Sequence, residues 1–500
     1  MAARLDFVPA TSLETKLHWG IWLPCVAVPF WYTYEISNRY LYQLHEGFFD
    51  ADTSLFNGRL KDIADGEWTF WRQFFSFYTI VCIISSTLSN TMSKLSTMAR
   101  KIALITVSFI ALSMLLSVTG LAILLCHALT VYITAKTKSV CAIWIHLLAA
   151  TYAVNFDPFL SYIISPLAND DTIRSLVIFA LMMCNLRLLS FALEAARIGR
   201  PTSESSRSKA SENAPNIIDF LSFVFYFPLF LNGPLLTFDK FHSQMKTRVQ
   251  KPSVASLAVE ICSCIAYFAL IEISFHFLYS TCISKHMHIL VELNCWETLG
   301  VIWSLLQFFY LKYVVFYRFA GVFAKIDGME PPGQPGCISN LYTYVDMWRY
   351  FDKGLYAFLR RYIYIPIGGS RYGIVRQILA SFSSFAFVGF WHGGTEKYIA
   401  WALTNWLGIS MEAIAASIMK LEVSKRFVAK ITPQTYRRIC AAGGAVTVGF
   451  LILSNVIFLT STEATMIFVR RLFIHGWPTC PVFLYIALYC AVNCIIDART

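Results

Sequence analysis

What constrains this chain most is a succession of apolar stretches, each close to membrane-crossing length, with short charged loops between them. They begin with His18 to Tyr34, Trp71 to Ser89, Ile102 to Thr134, Val140 to Val154, Ile173 to Leu193 and Ile217 to Leu236. Val254 to Tyr279, Leu299 to Phe323, Ile378 to Trp391, Tyr398 to Ile414, Val446 to Leu459 and Val482 to Ile495 follow. A spanning helix needs about 20 mostly apolar residues, and only helices or closed barrels satisfy their backbone in lipid. The pattern therefore predicts an all-α polytopic membrane protein, one membrane-embedded domain over residues 1–500. Composition agrees, since 57% hydrophobic and 14% charged residues cannot clothe a soluble globule. The first stretch lacks a small-residue cleavage site and reads as a retained helix, not a signal peptide.

Loop charge orients the bundle. The excess of 41 Lys+Arg over 30 Asp+Glu sits in short loops, which is a topology signal and gives no support to nucleic-acid binding. The loop with Glu46, Asp50, Asp62, Asp65 and Glu67 is assigned to the lumen, and loops such as Lys94 to Lys101 to the cytosol. Both ends of Ile102–Thr134 are basic and Thr119–Gly120 interrupts it, so a hairpin returning to the cytosolic side fits better than one crossing. Ile217–Leu236, with Pro228 and Asn232–Gly233–Pro234, is expected to be a second re-entrant element. About ten crossings plus two or three re-entrant elements result. Residues 200–213 are read as a mobile cytosolic loop, and Leu355–Ile365 as an interfacial amphipathic segment. The fourteen cysteines show no CxxC pairing, and nearly all are read as small buried hydrophobes, neither disulfide framework nor zinc site.

Chemistry gathers in the core region 324–394. His392 closes an otherwise uncharged apolar run, and an imidazole near membrane depth needs a reason. A hydrogen bond between helices is the plain one; Gly393 and Gly394, which permit close approach, favour a functional one. Asp352 lies in the basic region, where an ion pair with Arg349 or Lys353 is the plain expectation. Asn455 is expected to hydrogen-bond between helices, Asn232–Gly233–Pro234 to shape backbone, and His286 and His288 to be solvated. Phosphate-loop, serine-elbow and HExxH patterns are absent. What remains is one base candidate without a protein nucleophile, which suits direct transfer to an external nucleophile.

The blocks Met347–Trp348–Arg349–Tyr350–Phe351–Asp352, Arg361 to Ser370, Phe385 to Gly394 and Asn405–Trp406–Leu407–Gly408 resemble the membrane-bound O-acyltransferase superfamily. Within it the chain is most similar to the Hedgehog N-palmitoyltransferases. The likeness extends to Tyr226–Phe227–Pro228, Leu453–Ser454–Asn455 and Ile474–His475–Gly476–Trp477–Pro478. It implies a membrane-traversing catalytic tunnel and transfer of palmitate from palmitoyl-CoA to the N-terminal cysteine α-amine of secreted signalling proteins, Hedgehog and EGF-like ligands. The expected location is the endoplasmic reticulum or Golgi membrane. By position His392 and Asp352 match the family's catalytic pair. Trp348 and Asn455 match residues lining the acyl-CoA site, and Arg349 in the same block is a third substrate-binding candidate. Cys337 matches a cytosolic-side cysteine that ligates haem b iron in vertebrate members. Acylation of a serine hydroxyl or a lipid, and a transporter with a histidine proton relay, are the competing readings.

Overall fold

The computed structural model describes residues 7–44, 46–50, 56, 59–156, 171–198, 215–247 and 252–499; the loop 200–213 lies outside them. The long helices are α1 Ser12–Arg39, α2 Gly66–Met92, α3 Thr97–Lys136, α4 Val140–Asn155, α5 Asp171–Ile198 and α6 Val254–Ser274. After them come α7 Cys295–Ile326, α8 Ile374–Trp391, α9 Glu396–Ile418, α10 Pro433–Leu459 and α11 Thr479–Arg499. Eight of these helices are long and apolar enough to cross a bilayer; α1, α4 and α9 are not among the eight. Among the described residues the only sheet is a two-stranded ribbon pairing Phe49 with Asp62 and Asp50 with Lys61. The chain is an all-α polytopic membrane protein.

Helices start where the sequence supplies a cap. Thr11 with Glu14 and Asn294 with Glu297 close capping boxes at α1 and α7, and Ser96 and Ser139 accept amides at α3 and α4. Ion pairs join segments that loop charge assigns to one face. On the cytosolic side Arg361 meets Glu194 (2.6 Å) and Arg437 meets Asp497 (2.7 Å); on the lumenal side Arg39 meets Glu297 (2.6 Å) and Arg72 meets Asp50 (3.3 Å).

The expected hairpin at Ile102–Thr134 is present. The 40 residues of α3 are broken at Ser117 (φ 66°, ψ 165°), two residues before the Thr119–Gly120 interruption read from sequence. Near one end Lys101 pairs with Asp219, and near the other the Tyr132 ring lies 5.0 Å from that of the next residue, Phe220. A straight helix rising about 1.5 Å per residue would separate Lys101 and Tyr132 by roughly 45 Å. The chain must double back.

Ile217–Leu236 also returns to its starting side. A short helix (Ile217–Val224) and a 3₁₀ turn (Phe227–Leu229) lead to a third helix, Phe238–Lys246, and the Phe223 ring packs 5.3 Å from both Phe238 and Phe241. Irregular backbone survives at this depth only where protein satisfies it. Arg187, buried in the middle of α5, donates to the carbonyls of Val224 (3.1 Å), Tyr226 (3.4 Å), Phe223 (3.5 Å) and Leu229. The Tyr78 hydroxyl of α2 donates to Phe227 (3.3 Å) and Pro228 (2.5 Å). Gly233 is required here, because a Cβ at that position would lie 2.6 Å from the Leu229 Cα.

Candidate active site

His392 caps the C-terminus of α8, its amide still bonded to the Val388 carbonyl at 2.9 Å. Gly393 and Gly394 then take φ of 117° and 62°, values that suit glycine, and turn the chain into α9. The histidine therefore sits at the elbow of an antiparallel helix pair. Rings surround it: Trp391 at 4.6 Å, Phe458 at 5.2 Å, Trp401 at 5.4 Å and Tyr398 at 5.6 Å between centroids. Among the described residues no hydrogen bond ends on its ring nitrogens, so the plain expectation of an interhelical bond is not met.

The ring faces a cavity of about 860 Å³, a size that accommodates a substantial ligand. Its wall includes Asp65, Glu67, Lys285 and Lys397 from segments assigned to the lumenal face, and Ser339, Leu341 and Ile495 from the cytosolic side. His392, Asp352, Trp348 and Asn455 all line it. Arg349 and Cys337 do not. The structure thus brings four of the six sequence candidates into one space.

Asp352 forms neither of the ion pairs expected for it. It is the N-cap of the helix Lys353–Leu359: Oδ1 accepts the Leu355 amide at 2.9 Å, and Oδ2 accepts the Tyr317 hydroxyl of α7 at 2.7 Å. Burial pushes its carboxyl above the ordinary carboxylate range, and those two bonds draw it back. Arg349 instead reaches Asp346 at 4.0 Å and lies against the Tyr350 ring. Trp348 is held by its indole N–H, which donates to Asn405 Oδ1 at 2.9 Å, while Phe385 meets it edge-on at 4.7 Å. Asn455 donates to Leu451, four residues back in its own helix, at 2.8 Å, correcting the interhelical bond expected of it.

Other expectations shift too. Asn232 and Gly233 do more than shape backbone, since both reach the cavity wall and Asn232 donates to Glu67 at 3.4 Å. His288 is exposed, but His286 is half-buried and its Nδ1 donates to the Cys282 carbonyl at 2.8 Å. All fourteen cysteines are free; seven are buried as expected, but Cys126, Cys141, Cys262 and Cys337 are exposed and Cys25, Cys295 and Cys440 half-buried, so the reading as buried hydrophobes holds for only half of them.

The sequence reading missed Lys312. It lies in the middle of α7, almost buried, and its Nζ is 2.9 Å from both Asp65 Oδ2 and Glu67 Oε2, with Tyr313 donating to Glu67 at 3.2 Å. The signal was available as a lysine in the middle of the apolar stretch Leu299–Phe323, where a cation, like Arg318 further along, by itself calls for a partner.

Haem finds limited support in these residues. The Cys337 thiol is exposed and in no disulfide, as an axial ligand must be, but it lines neither the cavity that holds His392 nor the apolar cavity beside it.

Residues 172–462 match the model of the MBOAT, membrane-bound O-acyltransferase family. The chain is 29% identical to mouse protein-cysteine N-palmitoyltransferase HHAT, over 92% of this chain and 93% of that one. It is 26% identical to mouse protein-cysteine N-palmitoyltransferase HHAT-like protein, over 88% of this chain and 85% of that one. With protein-cysteine N-palmitoyltransferase Rasp of Drosophila melanogaster it shares 26% identity over 64% of this chain and 62% of the other.

Proposed function

The chain belongs to the membrane-bound O-acyltransferase family, and on that premise we propose that it transfers palmitate from palmitoyl-CoA to the N-terminal cysteine α-amine of a secreted protein, with His392 as general base. The observation that carries this reading is the single cavity that His392 and Asp352 share, whose wall includes segments of both faces of the bundle. An acyl donor made in the cytosol and an acceptor already translocated can meet only in such a space.

The residues fit the step. An α-amine titrates at about 8, so a share of it is already neutral at pH 7 and a nearby imidazole need only take the proton released as it attacks the thioester carbonyl. His392 is suited to the task because no protein hydrogen bond competes for its ring. In the attack the new C–N bond forms, the C–S bond breaks, and the proton held by the imidazole passes to the departing CoA thiolate. Asp352, on the same cavity wall, helps hold the acceptor amine. Trp348 and Asn455 flank the acyl chain. The anionic CoA is drawn to the basic cytosolic side, and Arg349, outside the cavity, contributes only to that field. Hedgehog-type proteins and other secreted proteins beginning with cysteine, EGF-like ligands included, are the acceptor class, and the endoplasmic reticulum or Golgi membrane is the place where they are met.

The test is acyl transfer in detergent to a Cys-initiated peptide, beside the same peptide with its amine acetylated. Labelled acyl-peptide is expected only from the free amine. Equal labelling of the blocked peptide would instead support a hydroxyl or thiol acceptor, and substrate flux across vesicles without acyl product would support the transporter reading.

A further inference from the structure

A second cavity, of about 580 Å³, lies between α1, α7, α10 and α11, and its wall is almost wholly apolar. It is continuous in its lining with the first: Trp22, Trp303, Leu306, Ile452 and Leu488 border both. On its other side Val28, Val446, Phe450, Phe473 and Phe483 are exposed on the outer surface of the bundle, where the neighbour is lipid. The residues involved, near the lumenal ends of α7 and α11, place it in the lumenal half. We propose that this cavity is the route by which the acyl chain of the finished product leaves the reaction cavity sideways into the lumenal leaflet. The inference rests on the acyl-transfer reading above.

The chemistry demands such a route. Once the amide has formed, the peptide is on the lumenal side while its hydrocarbon chain is still inside the protein. Pulling that chain out through water would expose all of it, whereas an apolar side passage keeps it covered throughout. The partition between the cavities is a pair of indoles, Trp22 and Trp303, crossed at 89° with centroids 5.9 Å apart. The buried Trp303 Nε1 has no hydrogen-bond partner among the described residues, so ring packing alone holds the partition in place. On α10 the cavity is opened by Gly449, where an added Cβ would meet only Leu488 Cδ1, at an ordinary 3.7 Å.

The experiment uses the full-length protein in nanodiscs with an acyl-CoA bearing a diazirine at the end of its chain. Irradiation before the Cys-initiated peptide is added is expected to label the first cavity; irradiation after turnover is expected to label Val28, Phe450 or Leu484. Acyl-peptide formed without label in the second cavity overturns the route. Labelling of the same residues by a diazirine phospholipid, with no dependence on turnover, assigns the space to bilayer lipid and overturns it as well. Absence of acyl-peptide from the wild-type protein defeats the amine-acyltransferase reading instead. Gly449→Leu, whose Cβ has ordinary room on the cavity wall, should leave the first turnover near wild type and slow later turnovers roughly 10-fold, as expected when release becomes limiting. Equal loss of both phases, or no change in either, counts against the route. Leu484→Trp enters from α11 and gives an independent measure.

Discussion

Arg187 and His392 are both ionisable side chains set deep in the bundle beside a break in helical structure, and they are treated in opposite ways. Arg187 is fully engaged, with four main-chain carbonyls of the re-entrant loop accepting its N–H groups. His392 sits at a two-glycine elbow among four aromatic rings and faces open space, and no described residue hydrogen-bonds its ring. A polar group that is consumed by its own protein holds the fold, and one kept free is available to a ligand. The molecule places these two roles on neighbouring helices, since Trp391, adjacent to the histidine, donates from its indole to the Met182 carbonyl of α5 at 3.0 Å.

Exchange of the two side chains should break the comparison most sharply. His392→Gln is expected to lower acyl transfer by about 10²- to 10⁴-fold, the usual worth of a general base, with thermal unfolding and membrane insertion unchanged. Retention of transfer would remove the imidazole from the chemistry. Arg187→Met should do the reverse, leaving several carbonyls unpaired and costing about 1–3 kcal/mol for each that finds no substitute. It is read as a fall in detergent melting temperature and in yield. Arg187 also reaches the cavity wall, so a stable Arg187→Met protein with lost activity would give that arginine a part in the site beyond holding the loop.

Lys312 is a third case: it lines the cavity, as Arg187 and His392 both do, and it is engaged like Arg187, but its partners are carboxylates and not main-chain carbonyls. Lys312→Met leaves Asp65 and Glu67 without their countercharge, and breaking a buried pair in this way costs about 3–5 kcal/mol. Asp65 is also the N-cap of α2, accepting the Trp68 amide at 2.9 Å, so the loss should appear as early local opening of that helix in hydrogen exchange. If stability holds while the Michaelis constant for the peptide rises, the cluster belongs with the histidine.

Asp352 can be divided more finely because asparagine caps helices about as well as aspartate. Asp352→Asn should preserve the fold yet lower transfer if charge matters, whereas Asp352→Ala adds a cap loss of about 1 kcal/mol. Equal activity in Asn and wild type would reduce Asp352 to a cap.

How much of this was legible depended on whether a feature is local. The α3 hairpin and the re-entrant loop follow from apolar length, breaker residues and loop sign and appear where those signals lie, whereas helix ends often run beyond the apolar stretch, as where α10 begins at Pro433 and not at Val446. His392 was conspicuous because one imidazole ended an apolar run. Asp352 was misjudged as an ion-pair partner because its real partner, Tyr317, is 35 positions away in sequence, on another helix. Asp65 and Glu67 looked like ordinary lumenal loop charges for the same reason, as only the folded bundle brings Lys312 to them. The role of Arg187 was equally hidden, since its acceptors are backbone groups that carry no mark in the sequence.

The smallest expected effect tests whether Trp348 belongs with the histidine or with the arginine. Asn405 is buried, accepts the Trp348 indole N–H and donates to the Trp401 carbonyl at 2.8 Å, so it fixes the tilt of an aromatic wall of the cavity. Asn405→Leu removes both bonds, each worth about 0.5–1.5 kcal/mol net, and frees the indole to turn against Phe385 and Trp401. If that wall positions the acyl chain, the Michaelis constant for the acyl-CoA should rise roughly 3- to 10-fold with little change in turnover, the pattern of lost uniform binding. Asn405→Asp, which keeps the acceptor, should restore much of it. A drop in melting temperature with both kinetic constants untouched would instead mean that Trp348 is held for packing alone, and the free imidazole would then have a structural neighbour where the acyl-transfer reading requires a binding one.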